Sequence, residues 1–392
     1  MANVTQLYGL LNKAAQIALG AQAIQVNDTA GFVSLGNLTL SSDQNTEAVF
    51  KTLTDLVGRT VFAARSMPKK DRSVKRDEFA WGAYYRKVHY LEIEAGNNSD
   101  WDIAHPENPY EEQTQTQIVQ KIFGDFGTYA YKNVLYRKQL QTAFRNEGEM
   151  EAFLSGIYVH MDNELKQAEM NLENLAVNTL IAGLYLKGKA TQVRYIRDEF
   201  NTKFNKSLTM ANCLEDLDFQ KFLATEMGLA VSYMDDRTEL FNAEGIPKFT
   251  SRDKCVVEML AVAAKTANAY LQADTYHKEL VALPNYHEVN YWQGPGTSGY
   301  ALNDVSKIHV ANVNLAVAGN ATGECEANGI IAVIRDVDAV ASFFGNRRSY
   351  TQYDGWNDRL LVKETADKGY AVDLAENAVV FTIADKPSPV NP

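Results

Sequence analysis

The chain has 392 residues, 46% of them hydrophobic and 22% charged, and a formal net charge of −11. A chain of this length and composition can bury a sizeable core, which excludes an intrinsically disordered protein. The acidic balance argues against a dedicated nucleic-acid binder, because phosphate repels an acidic surface, although one face could still enclose nucleic acid. We expect no membrane span and no secretion signal, because no eighteen apolar residues follow one another and no basic start precedes an apolar run.

The N-terminal segment begins with an amphipathic pattern. Leu7, Leu11 and Ala14 fall on one stripe, which predicts a helix over residues 3–19. Residues 27–45 are rich in Ser, Thr, Asn and Gly, and we predict an irregular polar stretch there. Such an arm needs another surface on which to lie.

Residues 61–93 predict a long hairpin with a charged tip. Residues 61–64 have the composition of a strand, Pro68 interrupts regular structure, and an aromatic strand returns over residues 79–93. The tip carries six basic residues, Arg65, Lys69, Lys70, Arg72, Lys75 and Arg76. A charge run of this kind is usually a solvated loop. The aromatic content of the returning strand nevertheless indicates contact with a partner surface.

A long helix is the clearest predicted element. Asn146 and Glu149 have the spacing of a capping box at its start. Apolar side chains then recur three and four residues apart, which predicts a core face made of Leu154, Ile157, Met161, Leu165, Leu172 and Leu175. At 1.5 Å per residue the helix should be on the order of 55–60 Å long. It indicates a spine in an elongated molecule. The alternative is a helix of a bundle or coiled coil, but no second helix of that length is predicted.

The flanking regions mix helices and strands. We predict a helix over residues 132–144, another over 256–276, and strands over 308–317 and 330–334. A closing hairpin is predicted over 359–383, with its turn at the Asp-Lys-Gly sequence that begins at residue 367.

Four apparent chemical motifs do not support an enzyme. Residues 183–190 resemble a phosphate loop, but Ala190 stands where Ser or Thr would bind magnesium, so we interpret Gly188 as the end of the long helix. The GxGxxG match at 294–299 lacks a preceding buried strand and a following helix. We interpret the acidic pairs at 216/218 and 235/236 as solvated helix ends.

No nucleophile-elbow or metal-ligand spacing stands out either. The cysteines, Cys213, Cys255 and Cys325, are far apart and form no CxxC pair, which predicts reduced thiols. We therefore predict no catalytic, cofactor-binding or metal-binding residues and no cofactor.

The order of the elements resembles the major capsid proteins of tailed bacteriophages with the HK97-type fold. The resemblance is carried by residues 124–180, which lead into the long helix, and by residues 330–383 near the C-terminus. It implies an α+β fold with an N-terminal arm, an extended β-hairpin called the E-loop, a spine helix in a peripheral domain and a mixed α/β axial domain. The implied boundaries are 1–55 for the arm, 56–96 for the E-loop, 97–200 for the peripheral domain, 201–345 for the axial domain and 346–392 for the return and tail.

The resemblance implies a structural protein without enzymatic activity. Copies would self-assemble as hexamers and pentamers into an icosahedral head around double-stranded DNA, with a separate scaffolding protein and a portal as partners. The protein would be found in the virion after assembly in the bacterial cytoplasm, with no membrane contact. Two alternatives remain open at this point. A bacterial nanocompartment shell shares the fold and would have a cargo enzyme gene nearby, and an α/β enzyme would show a conserved carboxylate or His cluster.

Overall fold

A computed structural model of the chain describes residues 4–20, 23–57, 72, 74–77, 85–91, 118–123, 127–138, 147–274, 286–293, 304–313 and 323–387. The helices are α1 (Val4–Leu19), α2 (Thr29–Thr39), α3 (Asp43–Val57), α4 (Glu147–Lys187), α5 (Ile196–Phe204), α6 (Leu217–Asp235) and α7 (Ala261–Asp274). No helix among these residues is long and apolar enough to span a membrane.

The strands are β1 (Lys75–Asp77), β2 (Tyr85–Tyr90), β3 (Ile118–Phe123), β4 (Gly127–Tyr136), β5 (Val193–Tyr195), β6 (Cys255–Leu260), β7 (Tyr286–Val289), β8 (Ile308–Val310), β9 (Cys325–Ala327), β10 (Ile330–Asp336), β11 (Val340–Asp354), β12 (Arg359–Val372) and β13 (Ala378–Thr382). They form a four-stranded sheet in the order β1-β11-β12-β4 and a five-stranded sheet in the order β5-β13-β10-β6-β7. Two further pairs, β2-β3 and β8-β9, are separate two-stranded ribbons.

The five-stranded sheet is covered on both faces. Because side chains alternate along a strand, Val333 of β10 packs with Leu180 and Leu184 of α4 on one face. Its neighbour Ile334 packs with Phe219 of α6 on the other face. Both faces are therefore covered mainly by apolar side chains, and β6, β10 and β13 are buried along their whole length.

The four-stranded sheet supports the N-terminal helices. Leu11 of α1 and Phe32 of α2 form one apolar cluster with Leu135 of β4, Leu360 of β12 and Met161 of α4. The segment that we predicted to be irregular over 27–45 is thus helical, and that prediction is wrong. The cap explains the start of α2, because the Asp28 side chain accepts a hydrogen bond from Gly31 N at 2.7 Å.

The predicted long helix is present as α4, whose 41 residues give a length of about 60 Å. Met161, Leu165 and Leu172 are buried and Ile157 is half-buried, whereas the side chain of Leu154 lies outside the described residues. The expectation for Leu175 is wrong, because its side chain is 43% exposed. The helix has 3.6 residues per turn, so the buried face moves on to Ala176, Leu180 and Leu184.

Three other predictions assign a helix or a turn to residues that form strands. Residues 132–136, predicted as the start of a helix, belong instead to β4, which pairs with β12 over its whole length. Residues 255–260 form β6, and the helix begins only at Ala261, because a short apolar run has no period that separates a buried strand from a helix. The predicted turn at 367–369 lies inside β12.

The hairpin at this end of the chain is therefore a different one. β11 and β12 are joined by a turn over residues 355–358, in which Asp358 adopts a left-handed φ of 50°. β13 belongs to the other sheet. Of the predicted strand over 308–317, β8 accounts for residues 308–310, and residues 314–317 lie outside the described part.

Candidate functional site

The β2–β3 ribbon has two chemically different faces. β2 and β3 are antiparallel, with Tyr85 opposite Phe123 and Lys87 opposite Lys121. These side chains face the body of the protein, where the Tyr85 ring lies 5.2 Å from the ring of Phe343 in β11. The ribbon is thus held at this end by aromatic packing.

The outer face of the ribbon is largely apolar and open to solvent. Its exposed apolar residues are Val88 (38% exposed), Tyr90 (71%), Ile118 (58%) and Ile122 (49%), and the exposed Arg86 and Gln120 share this face. Tyr90 and Ile118 are directly opposite each other in the register, so the exposed apolar side chains adjoin across the strands. A contiguous apolar surface of this kind marks an interaction site more often than single exposed residues do.

The inner face meets a buried group of charges, which we call the Asp373 cluster. It consists of Lys87, His89 and Lys121 from the ribbon and Glu244, Lys248, Asp373 and Glu376 from the body. Asp373 is its centre, because its carboxylate lies 2.9 Å from Lys87 Nζ, 2.6 Å from Lys121 Nζ and 2.8 Å from His89 Nε2. Glu376 contacts Lys87 and lies 2.7 Å from Lys248.

The protonation of the cluster follows from its contacts. Lys248 Nζ donates a hydrogen bond to His89 Nδ1 at 2.8 Å. Because an ammonium group only donates, Nδ1 accepts and the ring proton is assigned to Nε2, next to Asp373. Three lysine ammonium groups then balance the three carboxylates of Glu244, Asp373 and Glu376, so the charges compensate one another.

Burial opposes charge at Asp373, but the cations prevail. Burial alone would raise the pKa of this carboxyl; the contact with His89 and the ammonium groups of Lys87 and Lys121 hold it well below its usual range. In the same way, burial would lower the pKa of Lys87, whereas Asp373 and Glu376 raise it. Both groups are therefore charged at neutral pH.

The cluster also contains the one grouping with metal-ligand geometry among the described residues, namely His89, Asp373 and Glu376. The ammonium group of Lys87 contacts both carboxylates of this trio. A lysine of the ribbon thus already supplies the positive charge that a metal ion would bring, and the trio does not fit a metal site.

A second buried ionic group fixes the chain on the N-terminal side of the ribbon. Glu258 of β6 accepts hydrogen bonds from Arg72 at 2.7 Å and from Arg335 of β10 at 3.1 Å. Arg72 also donates to Asn174 of α4 at 2.6 Å, and its guanidinium lies 5.5 Å from the centre of the Trp292 ring. Although burial opposes it, the two arginines lower the pKa of Glu258.

These contacts correct the predicted charged tip. Arg72 is buried in the body and is not part of a solvated tip, because its carboxylate partner lies 186 residues further along the chain. Lys75 and Arg76 belong to β1, which pairs in parallel with β11. Arg65, Lys69 and Lys70 lie outside the described residues, as does the predicted strand over 61–64. The described partner of β2 is β3, in a region for which no strand was predicted.

The remaining motifs have structural roles where the structure describes them. Gly188 ends α4 by donating a hydrogen bond to Leu184 O at 2.8 Å, and a Cβ at this position would collide with that oxygen. Asp216 caps α6 by accepting from Phe219 N at 2.9 Å, and Lys206 pairs with both Asp216 and Asp218. Asp235 and Asp236 lie at the other end of α6. The GxGxxG match at 294–299 falls outside the described residues.

All three cysteines are buried and free of disulfides. Burial raises the pKa of Cys213 to about 11 and that of Cys255 to about 12, so these thiols are protonated and unreactive at neutral pH.

The charged residues of the Asp373 cluster are absent from the sequence-based site prediction. Lys87 and His89 did carry a signal, because they alternate with Tyr85 at every second position of an aromatic strand and so share one face. Their partners Asp373 and Glu376 could not be found in this way, since they lie more than 250 residues further along the chain.

Comparison with known proteins gives a consistent result. Residues 11–382 match the family model of the Phi29-like phage major capsid protein. The fold is similar to a chain in the capsid structure of Staphylococcus phage Andhra, with a TM-score of 0.56 and 11% identity over 83% of this chain and 87% of that one. It is also similar to a chain in the structure of the head fiber and inner core protein of bacteriophage P68, with a TM-score of 0.53 and 12% identity over 83% and 88% of the two chains. No curated protein sequence matches the chain.

Proposed function

Because this chain belongs to the Phi29-like phage major capsid protein family, we propose that the outer face of the β2–β3 ribbon is a surface through which its copies bind one another in the shell. The protein is a structural component of a phage capsid with an HK97-like mixed fold, and it is not an enzyme. Its location is the virion, where many copies assemble into a shell. The alternatives of a nanocompartment shell and an α/β enzyme have no support and are dropped.

One observation carries the proposal for the ribbon. Its outer face exposes Val88, Tyr90, Ile118 and Ile122, whereas its inner face is held to the body by packing and charge. Aromatic and aliphatic side chains that leave water on binding supply most of the energy of protein interfaces. A second copy is the occupant that a self-assembling shell protein offers in the highest number.

The test replaces two opposed residues of the outer face with charges. Tyr90→Glu/Ile118→Glu should leave the subunit folded, since both side chains are more than half exposed, and should prevent closed particles. The control is Tyr233→Glu/Leu240→Glu, which makes the same chemical change at two residues that are each 55% exposed elsewhere. Closed particles from the ribbon variant, seen by electron microscopy at wild-type yield, would refute the docking role.

The finer features of assembly belong to the same proposal. Copies form hexamers and pentamers of an icosahedral head that encloses double-stranded DNA, with a separate scaffolding protein and a portal, in the host cytoplasm. The net charge of −11 suits a shell that releases its DNA, because a strongly basic lining would hold it. Arg65, Lys69, Lys70, Lys75 and Arg76 keep the expected role of basic contacts to the acidic body of a neighbour.

We assign the peripheral and axial domains on the same basis. The four-stranded sheet with most of α4 corresponds to the peripheral domain, and the five-stranded sheet with α5, α6 and α7 corresponds to the axial domain. β5 and β13 lie outside the expected 201–345 boundary of the axial domain, yet they pair within its sheet. Within the described residues, the β2–β3 ribbon takes the place of the E-loop.

A further inference from the structure

We propose that Asp373 and Glu376 are positioning residues that fix the direction in which the β2–β3 ribbon leaves the body, so that shell assembly depends on them while the fold of the body does not. The inference rests on the proposed role of the ribbon in assembly.

Among the described residues, the ribbon makes no backbone hydrogen bond to either main sheet. β2 and β3 pair only with each other among the described strands. An isolated two-stranded ribbon is marginally stable in water, so its orientation must come from side-chain contacts with the body.

The described side chains provide two kinds of attachment along the ribbon. At one end, Tyr85 and Phe123 pack with Phe343 in an apolar cluster. Further along, Lys87 and Lys121 reach the carboxylate of Asp373. Apolar packing is non-directional, whereas buried ion pairs join particular atoms at fixed distances. With the aromatic packing alone the ribbon could rotate about that end, and the ion pairs prevent this rotation.

The carboxylates that hold the ribbon lie in the chain segment between the two main sheets. Asp373 and Glu376 lie in the segment that leads from β12 in the four-stranded sheet to β13 in the five-stranded sheet. Glu244 and Lys248 come from the chain that follows α6. The ribbon is therefore attached where the two sheets meet, and its direction is tied to the arrangement of the whole subunit.

A small rotation of the ribbon at its attachment to the body should displace the outer face. Tyr90 and Ile118 occupy the end of the described ribbon that lies farther from the Tyr85–Phe123 packing. A rotation about that packing moves these two residues more than it moves Lys87 or Lys121. Loss of the ion pairs should thus misplace the docking surface without exposing the core of the body.

The experiment removes the two lysine charges that the ribbon contributes to the cluster, and a second variant restores them. Lys87→Met/Lys121→Met keeps the apolar stems and deletes both ammonium groups, and Lys87→Arg/Lys121→Arg retains both positive charges. Lys51→Met/Lys363→Met is the matched control, since it removes two exposed lysines and changes the net charge equally. Each full-length variant is studied by hydrogen exchange of the unassembled subunit and by electron microscopy after assembly.

We expect the Met variant to exchange its ribbon amides on the order of tenfold faster than wild type, a larger increase than in β10 and β13, and to form irregular or open particles. The Arg variant should recover both the protection of the ribbon and closed particles. Unchanged ribbon exchange, or closed uniform particles from the Met variant, would overturn the inference. An equal increase of exchange in the ribbon and in the body would overturn it too, because the cluster would then stabilise the fold in general and not the ribbon in particular. If the Met variant exchanges its ribbon amides faster but Tyr90→Glu/Ile118→Glu still forms closed particles, the ribbon is fixed as inferred and the proposed docking function fails instead.

Discussion

Glu258 is the residue at which a single-atom change should affect stability most. Its carboxylate is fully buried between Arg72 and Arg335, both of which are also buried. Glu258→Gln keeps the shape of the side chain but removes the one negative charge that these two guanidinium groups share. Among the described residues, three of their N–H groups, Arg72 Nε and Arg335 Nε and Nη1, already have no hydrogen-bond partner.

The magnitude follows from the two distances. At 2.7 and 3.1 Å, and with an effective dielectric constant of about 20, the gross attractions are about 6 and about 5 kcal/mol. Desolvation of the carboxylate offsets much of this attraction. Breaking a buried ion pair from one side typically costs about 3–5 kcal/mol, and we expect a loss of this size in the free energy of unfolding.

Urea unfolding of the unassembled subunit, followed by circular dichroism, measures this loss. Glu239→Gln is the control, because Glu239 is exposed and such substitutions usually change stability by less than about 0.5 kcal/mol. A loss below about 1 kcal/mol for Glu258→Gln, with an unchanged urea dependence, would refute the view that this carboxylate holds the chain near Arg72 in the core.

Three further outcomes are expected. Leu165→Ala should cost about 2–5 kcal/mol through lost burial and a cavity, whereas Leu175→Ala should cost less than about 0.5 kcal/mol; equal costs in thermal unfolding would contradict the helix register. Because the pKa of Asp373 is lowered in the folded protein, its contribution to the free energy of unfolding should be complete above the unfolded pKa of about 3.9 and be lost as the pH falls below that value. A melting temperature that already drops between pH 7 and 5 in wild type, but not in Asp373→Asn, would contradict this sign. Particles should survive dithiothreitol unchanged, because the three thiols are buried and form no disulfide; disassembly at fixed salt and pH would contradict this.

The parts of the fold that follow a single period could be predicted from the sequence. The long helix could be located because apolar residues recur three and four apart over many turns, and β10 because it is a continuous apolar run. The same logic fails for β6, whose apolar run continues directly into the helix that begins at Ala261. It also fails for Leu175, because the sequence does not decide whether the next buried residue of the helix follows after three or after four residues.

The site depends on contacts that no local pattern contains. Arg72 looks like one member of a solvated charge run until Glu258 is placed beside it, and Lys121 meets Asp373 across 252 positions of sequence. Side chains of opposite charge occur throughout the chain, so only the fold decides which of them meet in the interior. The aromatic strand did indicate a partner surface, but its exposed and anchored faces could be separated only once β2 was paired with β3.

A structure of the assembled particle by electron cryomicroscopy, at a resolution that shows side chains, would show whether the outer face of the ribbon binds a second copy. We expect Tyr90 and Ile118 to be buried against that copy, while Lys87 and Lys121 still contact Asp373 of their own chain. A closed shell in which the outer face of the ribbon remains in solvent would contradict it.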